Sequence, residues 1–218
     1  MNVETAHPPT ATLWRRIIRF LKRALVVELS IYVSIARFVA RRPAVPHGAA
    51  GFSFHKPVLT ILVIFIVLSA VEVPIIDLIV HPWPAVRIPF LVLGLWGLTW
   101  MFGLLCSYLT HPHTVGPDGI RVRAGLEIDL ALNWDDIASV AHNLRVDDPK
   151  SPKIVEDDGS RTLMFRIVEQ TNLEIELERP TLVRLPGHGV AGGEQLISAI
   201  RIWADEPRAF MDRVRQHV

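Results

Sequence analysis

Ile88 to Thr110 reads IPFLVLGLWGLTWMFGLLCSYLT, twenty-three consecutive residues without a charge. At about 1.5 Å per residue such a helix is roughly 34 Å long, enough to cross a hydrocarbon layer of about 30 Å. Upstream, Pro57 to Val80 reads PVLTILVIFIVLSAVEVPIIDLIV; its first fifteen residues are uncharged, and Glu72 and Asp77 come only toward the far end. The link His81-Pro82-Trp83-Pro84-Ala85-Val86-Arg87 has room for little more than a tight reversal. Together they predict a transmembrane helical hairpin over 57–110, with spans 57–80 and 88–110 and Trp83 at the outer interface.

Working outward from the hairpin, the formal net charge of +1 over 218 residues is a cancellation. Residues 1–56 carry nine Lys/Arg and two Asp/Glu, residues 57–110 one Arg and two acids, and residues 111–218 thirteen bases and eighteen acids. The three segments are thus +7, −1 and −5. Arg37, Arg41, Arg42 and Lys56 precede the first span, Arg121 and Arg123 follow the second, and the link holds only Arg87. The positive-inside bias therefore puts both termini in the cytoplasm, in an inner (plasma) membrane. The first apolar span begins near residue 57 with no small-residue cleavage pattern behind it, which is not the form of a secretory signal peptide. An apolar half of the chain argues against disorder over most of its length, and the single Cys106 excludes an internal disulfide and a cysteine-cluster metal site.

Within the N-terminal segment, 1–56, residues 12–42 run without Gly or Pro until Pro43. On a helical wheel Arg15, Arg16, Arg19, Lys22, Arg23, Arg37 and Arg41 share about one third of the circumference, and Ser30 and Ser34 fall in the same arc. Trp14, Ile17, Ile18, Leu21, Leu25, Leu29 and Ile35 lie mostly outside it. This is the pattern of a helix lying in the membrane surface with its cations on anionic head groups. Its most apolar window, Ala24 to Ala36, is too short for a third span and contains Glu28.

After residue 110 the hydrophobic period changes to alternation. Pro117-Asp118-Gly119 and Ala124-Gly125 are turn signals, and Leu126, Ile128, Leu130 and Leu132 share one face of a strand. Trp134-Asp135-Asp136-Ile137 reads as a short turn into a strand ending near Arg145. Asp147 to Ser160 reads as a polar surface loop. Strands follow at 162–168, 172–178, 181–185 and 196–203, with Pro186 to Gly193 a flexible loop. Asp205 and Pro207 start a final helix whose Phe210 and Val214 face the core. Residues 111–218 are thus a cytoplasmic β domain of about seven strands closed by a helix, and the whole chain an α+β membrane protein.

The order of these elements, with Val115-Gly-Pro-Asp-Gly-Ile-Arg-Val-Arg123, Leu132-Asn-Trp-Asp-Asp-Ile-Ala-Ser-Val140, Leu173-Glu-Ile-Glu-Leu-Glu-Arg-Pro180 and Asp205-Glu-Pro-Arg-Ala-Phe210, resembles bacterial pleckstrin-homology-like (PH-like) membrane proteins of the kind abundant in actinobacteria. The resemblance covers about residues 57–218 and leaves the N-terminal helix outside. It implies a bent, orthogonal seven-stranded arrangement closed at one end by the helix, Trp134 and Ile137 as core anchors, and action through protein contacts.

Few residues offer chemistry. Glu72 and Asp77 stand near the outer end of a span, where an ionisable group is either interface polarity, a partner contact such as an ion pair with Arg87, or part of an ion path. His111 and His113 supply two imidazoles where a metal site needs three or four ligands, and read as histidines of the membrane junction. Asp135 and Asp136, being adjacent, point apart. No nucleophile, glycine-loop or zinc motif occurs, so no catalytic, cofactor or metal residue is assigned and the protein is expected not to be an enzyme. Gly103 and Ser107 give a spacing suited to helix packing, including with a second copy. The −5 of residues 111–218 speaks against nucleic acid, and Glu174, Glu176 and Glu178 in register suit a basic protein partner. The expected function is an interaction or assembly module at the membrane, with a protein partner or homo-oligomer; the alternative is a component of a transport or ion-conducting complex using Glu72 and Asp77. A peptide of residues 12–42 is expected to bind anionic vesicles and to be released by salt, measured by co-sedimentation; equal binding to neutral vesicles at every salt concentration would refute the interfacial assignment.

Overall fold

The computed structural model describes residues 10–126, 128–146, 153–157, 160–185 and 193–217. Helix α1 covers Thr10–Val39, α2 Lys56–Ile79 and α3 Pro84–Thr110. Pro57 and Pro84 sit in the first turns of α2 and α3, where a missing N–H is tolerated. These two helices are long and apolar enough to cross a membrane. α2 buries none of its residues and α3 buries only Gly103, Cys106, Ser107 and Thr110. Ile64, Phe65, Leu68, Leu93 and Trp96 are each more than half exposed, an apolar surface of the kind that requires lipid or protein cover.

α1 crosses α3 where Ile31 meets Gly103. A Cβ at Gly103 would lie 2.3 Å from Ile31 Cγ2, so only glycine admits this approach. Ile31 is fully buried there, and Phe38 meets Phe102 edge-on with ring centres 6.2 Å apart. Glu28 Oε1 accepts hydrogen bonds from Trp96 Nε1 (2.9 Å) and the Tyr32 hydroxyl (2.8 Å). The small-residue spacing at Gly103 and Ser107 thus receives the chain's own N-terminal helix.

The β domain holds two sheets. In the first, β1 (Ala50–Phe52), β2 (His113–Gly116), β3 (Gly119–Ala124) and β4 (Ile128–Leu132) form an antiparallel meander in chain order. The second contains β5 (Ile137–Val146), β6 (Lys153–Asp157), β7 (Ser160–Phe165), β8 (Gln170–Leu185) and β9 (Gly193–Ile202), in the order β5-β8-β9-β7-β6. All its pairs are antiparallel except β7 with β9. Neither sheet closes into a barrel, and the described residues form nine strands in place of about seven.

Three of the differences have identifiable causes. Residues 50–52, grouped with the N-terminal segment in the sequence, pair with β2 and so belong to the domain. Lys153–Asp157, inside the stretch expected to be loop, pairs with β7 and packs Ile154 against the core; its short alternation is hidden among prolines and acids. Ser160, the last residue of that stretch, begins β7, while 147–152 and 158–159 lie outside the described residues, as does 186–192 of the glycine-rich loop. The strands expected at 172–178 and 181–185 are one strand, β8, whose register breaks between Glu176 and Thr181. Pro180 lies in that break, and a proline has no N–H to give the ladder.

One core joins the sheets. Val115, Ile120 and Val122 of the first pack with Leu173, Ile175 and Ile200 of the second, and α4 (Pro207–Val214) closes the end with buried Phe210 and Val214, as expected. Phe210 stands 5.0 Å from the ring of Phe52. Trp134–Asp136 is a single 3-10 turn; Trp134 Nε1 donates to the carbonyls of Gly116 and Pro117, both at 3.1 Å, and its ring stacks on His217. Gly119, in the turn so secured, has φ +132°, and a Cβ there would lie 1.9 Å from the Leu132 carbonyl oxygen. Gly119→Ala is therefore expected to destabilise the domain by about 2–3 kcal/mol, measured as a lowered unfolding temperature of the full chain in detergent, while Asp118→Ala in the same turn leaves it nearly unchanged.

Candidate functional site

The junction between the apolar helices and the β domain is built from residues far apart in sequence. At the start of α2 the first N–H groups have no intrahelical acceptors, and the helix dipole is positive. Both carboxylate oxygens of Asp205 accept from the Lys56 N–H, at 3.3 and 3.2 Å. Asp205 also accepts from Trp203 Nε1 (3.1 Å) and gives its own N–H to the Ser53 carbonyl (2.8 Å). Lys56 Nζ pairs with Glu206 at 3.2 Å. Asp205, expected to begin the last helix, thus lends its carboxylate to α2.

Just beyond α3, His113 enters the domain interior instead of resting at a membrane surface, and it is 2% exposed. The Arg123 N–H donates to Nδ1 at 3.1 Å, so the ring proton belongs on Nε2, 3.2 Å from the Trp203 carbonyl that accepts it. Phe54 stacks on the ring at 4.5 Å. Burial pushes the His113 pKa from 6.5 down to about 4, against a smaller upward pull from the Trp203 carbonyl. It is a neutral structural histidine. His111, two residues earlier, contacts the Ser107 carbonyl through Nδ1 at 3.2 Å, and burial lowers its pKa too. Among the described residues no group of three or more His, Cys, Asp or Glu is placed to hold a metal.

The basic arc of α1 divides between two surroundings. Ser34 is buried, and Arg37 lines a crevice with Ser107, His111 and Asp129, so this edge of the arc turns toward α3 and the domain. Arg23 is exposed yet borders a second crevice, while Lys22 and Arg41 are exposed. Arg15, Arg16 and Arg19 lie on the same helix, their side chains outside the described residues. On the opposite face Trp14, Leu21, Leu25 and Leu29 are each more than half exposed.

Glu72 and Asp77 are not brought together as a site. Asp77 forms a two-pronged ion pair with Arg87, at 2.7 Å from Nε and 2.9 Å from Nη2, tying the end of α2 to the start of α3. Glu72 is exposed beside a crevice bordered by Ser69, Gly94 and Met101, with no hydrogen bond or ion pair to another described residue.

The charged faces of the sheets are largely satisfied internally. Arg121 pairs with Asp129 across β3 and β4, and the buried Arg123 stands 3.5 Å from the same carboxylate while donating to the carbonyls of Ala44 and Pro112. Of the acidic row on β8, Glu174 pairs with Arg201 at 2.7 Å and lies near Arg145 at 3.8 Å. Burial opposes its ionisation, but Arg201 and Asn143 outweigh it and hold the carboxyl below its usual range. Glu176 accepts from Ser139 at 2.8 Å. Two of the three acids expected to meet a basic partner are thus engaged within the sheet.

Because His113 binds a proton more weakly in the fold than in the unfolded chain, acid favours unfolding through this group. Its contribution is complete above about pH 6.5, declines between 6.5 and about 4, and stays lost below that. The drop corresponds to roughly 3 kcal/mol. His113→Gln keeps one donor and one acceptor, and the stability gap between parent and variant is expected to narrow as the pH falls through this window, followed by thermal unfolding in detergent. A gap independent of pH would refute the assignment. Comparison of the chain with protein-family models, with curated proteins and with solved structures finds no match.

Proposed function

We propose that this chain is a multi-pass inner-membrane protein, both termini cytoplasmic, whose β domain is a non-enzymatic, PH-like interaction module held at a defined position on the bilayer. The observation that carries the proposal is an open strand edge on a domain clamped to the hairpin. β5, ten residues long, is an edge strand whose only strand partner among the described residues is β8, and its Leu144 and Val146 are 60% and 57% exposed. An unpaired edge with apolar side chains is the element to which a partner's strand adds. The clamp of Asp205 on Lys56 and the pairing of β1 with β2 restrict the domain's swing, so the edge is offered in one orientation.

The transport alternative retains less support, since Asp77 is engaged by Arg87 and, of the two acids, Glu72 by itself has no partner among the described residues. The exposed apolar face of α1, backed by its cations, favours a helix seated in the inner membrane surface, with anionic lipids as its other partner.

The test separates the readings. A charge on the edge, in Leu144→Lys with Val146→Glu, is expected to abolish recovery of a stoichiometric partner, or of a second copy, with the full chain extracted in mild detergent, while the variant's unfolding temperature stays within a few degrees of the parent's. Glu72→Gln with Asp77→Asn is expected to leave that recovery intact and to change no ion flux in reconstituted vesicles. Flux that depends on these two carboxylates, with partner recovery unaffected by the β5 variant, would replace this proposal with the transport one.

A further inference from the structure

We infer that the β domain rests directly on the inner leaflet through one end of its second sheet, where Val168 of the turn between β7 and β8 and Leu144 and Val146 at the end of β5 enter the lipid. Among the described residues of the domain, the large apolar side chains that stay exposed are Leu144, Val146, Val168, Leu182 and Leu196. The first three are gathered in one place. Ile167 and Gln170 exchange main-chain hydrogen bonds of 3.0 and 3.1 Å across the turn, and Gln170 and Thr171 pair with Val146 and Arg145. Leu182 and Leu196, opposite each other in β8 and β9, lie toward the other end of the sheet. From Leu196 to Ile202, which is level with Phe165, is six residues, or roughly 20 Å of strand.

Position along α3 identifies what covers the three. Arg166 and Ile167, which lead into the turn, border a crevice with Trp100 and Leu104. These lie ten and six residues before the last residue of α3, or roughly 15 and 9 Å up the helix from its domain end. α1 crosses α3 between them, at Gly103. From Gly103 to the domain end α3 buries Cys106, Ser107 and Thr110, whereas it buries no residue before Gly103. The level of Trp100 to Gly103 is thus where the hairpin's protein cover stops and its bare apolar surface starts. The turn stands at that level, and apolar side chains there continue the lipid-facing surface of α3. The turn itself is strained: Val168 and Glu169 have φ of 46° and 68°, a conformation that suits Gly or Asn and disfavours a β-branched side chain. Val168 is 54% exposed, so contact with lipid would offset that strain where contact with protein does not. Arg166 stands 3.9 Å from Glu169, which lets this acid lie at head-group level. The inference rests on the hairpin being the membrane anchor, and it leaves the outer main-chain groups of β5 open to a partner's strand.

The test places a nitroxide spin label at one position at a time in the full chain, using Val168→Cys, Leu144→Cys, Leu182→Cys or Leu68→Cys in a Cys106→Ala background. Each variant is reconstituted in nanodiscs of phosphatidylethanolamine and phosphatidylglycerol, and collisions with oxygen, which concentrates in lipid, and with a water-soluble nickel chelate are measured by electron paramagnetic resonance. The oxygen-to-chelate ratio is expected to be several-fold higher at 168 and 144 than at 182, and to approach that at 68 in α2. Labels at 168 and 144 report independently, so if one variant fails to fold the other decides. A ratio at both positions equal to that at 182 would overturn the inference while leaving the hairpin anchor intact. Shielding of both from either probe would mark a surface covered by protein and overturn it too. A label at 68 open to the chelate would instead remove the membrane anchor on which the inference rests.

Discussion

The carboxylate of Asp205 on the first N–H of α2 is the contact on which the arrangement depends. A helix of 24 residues with an almost wholly apolar surface begins at Lys56, and its end presents unpaired donors and a positive dipole at the place where the polar domain starts. One side chain from the bend between β9 and α4 supplies the acceptor, and the same residue ties itself to Ser53 and Trp203. Trp203 in turn gives its carbonyl to His113, the first residue of the strand that follows α3. Both ends of the hairpin therefore converge on the segment Trp203–Asp205. Displacing it would leave unpaired donors at the start of α2 and at His113 Nε2 together, which couples the domain's fold to the helices' position.

α1 is held by a second kind of constraint, close approach in place of polar capping. Gly103 lets Ile31 sit against the α3 backbone, and the contact aligns Arg23 and Val27 with the half of that helix nearer the β domain. This leaves a space between three elements that none of them fills. The unequal faces of α1 follow from the same contact. The edge of its basic arc with Ser34 and Arg37 turns inward, while the leucine face at 21, 25 and 29 stays open.

Several of the charges that stand out in the sequence are paired within the fold. Asp77 closes the hairpin with Arg87, Asp129 serves Arg121 and Arg123, and Glu174 serves Arg201. A run of acids on a strand suggests a surface waiting for a cation, but cross-strand neighbours reach it first, because opposite residues in a sheet are only about 5 Å apart. Among the described residues much of the surface left without a partner is apolar, at the edge of β5 and on the helices, and that surface guides the functional proposal.

The two apolar helices, the amphipathic α1, the turn at Pro117-Asp118-Gly119 and the closing helix with Phe210 and Val214 were legible in the sequence, because each is set by hydropathy, periodicity or turn chemistry within a short window. The burial of His113, the reassignment of Asp205 to α2, the pairing of β1 with β2 and the parallel contact of β7 with β9 were not, since each depends on a partner at least 35 residues away. β6 escaped notice for a different reason, its five residues being too short to show a period among prolines and acids. The sequence by itself thus determined the apolar helices, the amphipathic helix, the closing helix and most of the strands. Only the tertiary structure decided which charges are spent and which histidine is neutral, because burial and pairing are properties of neighbours that the chain brings together only when it folds.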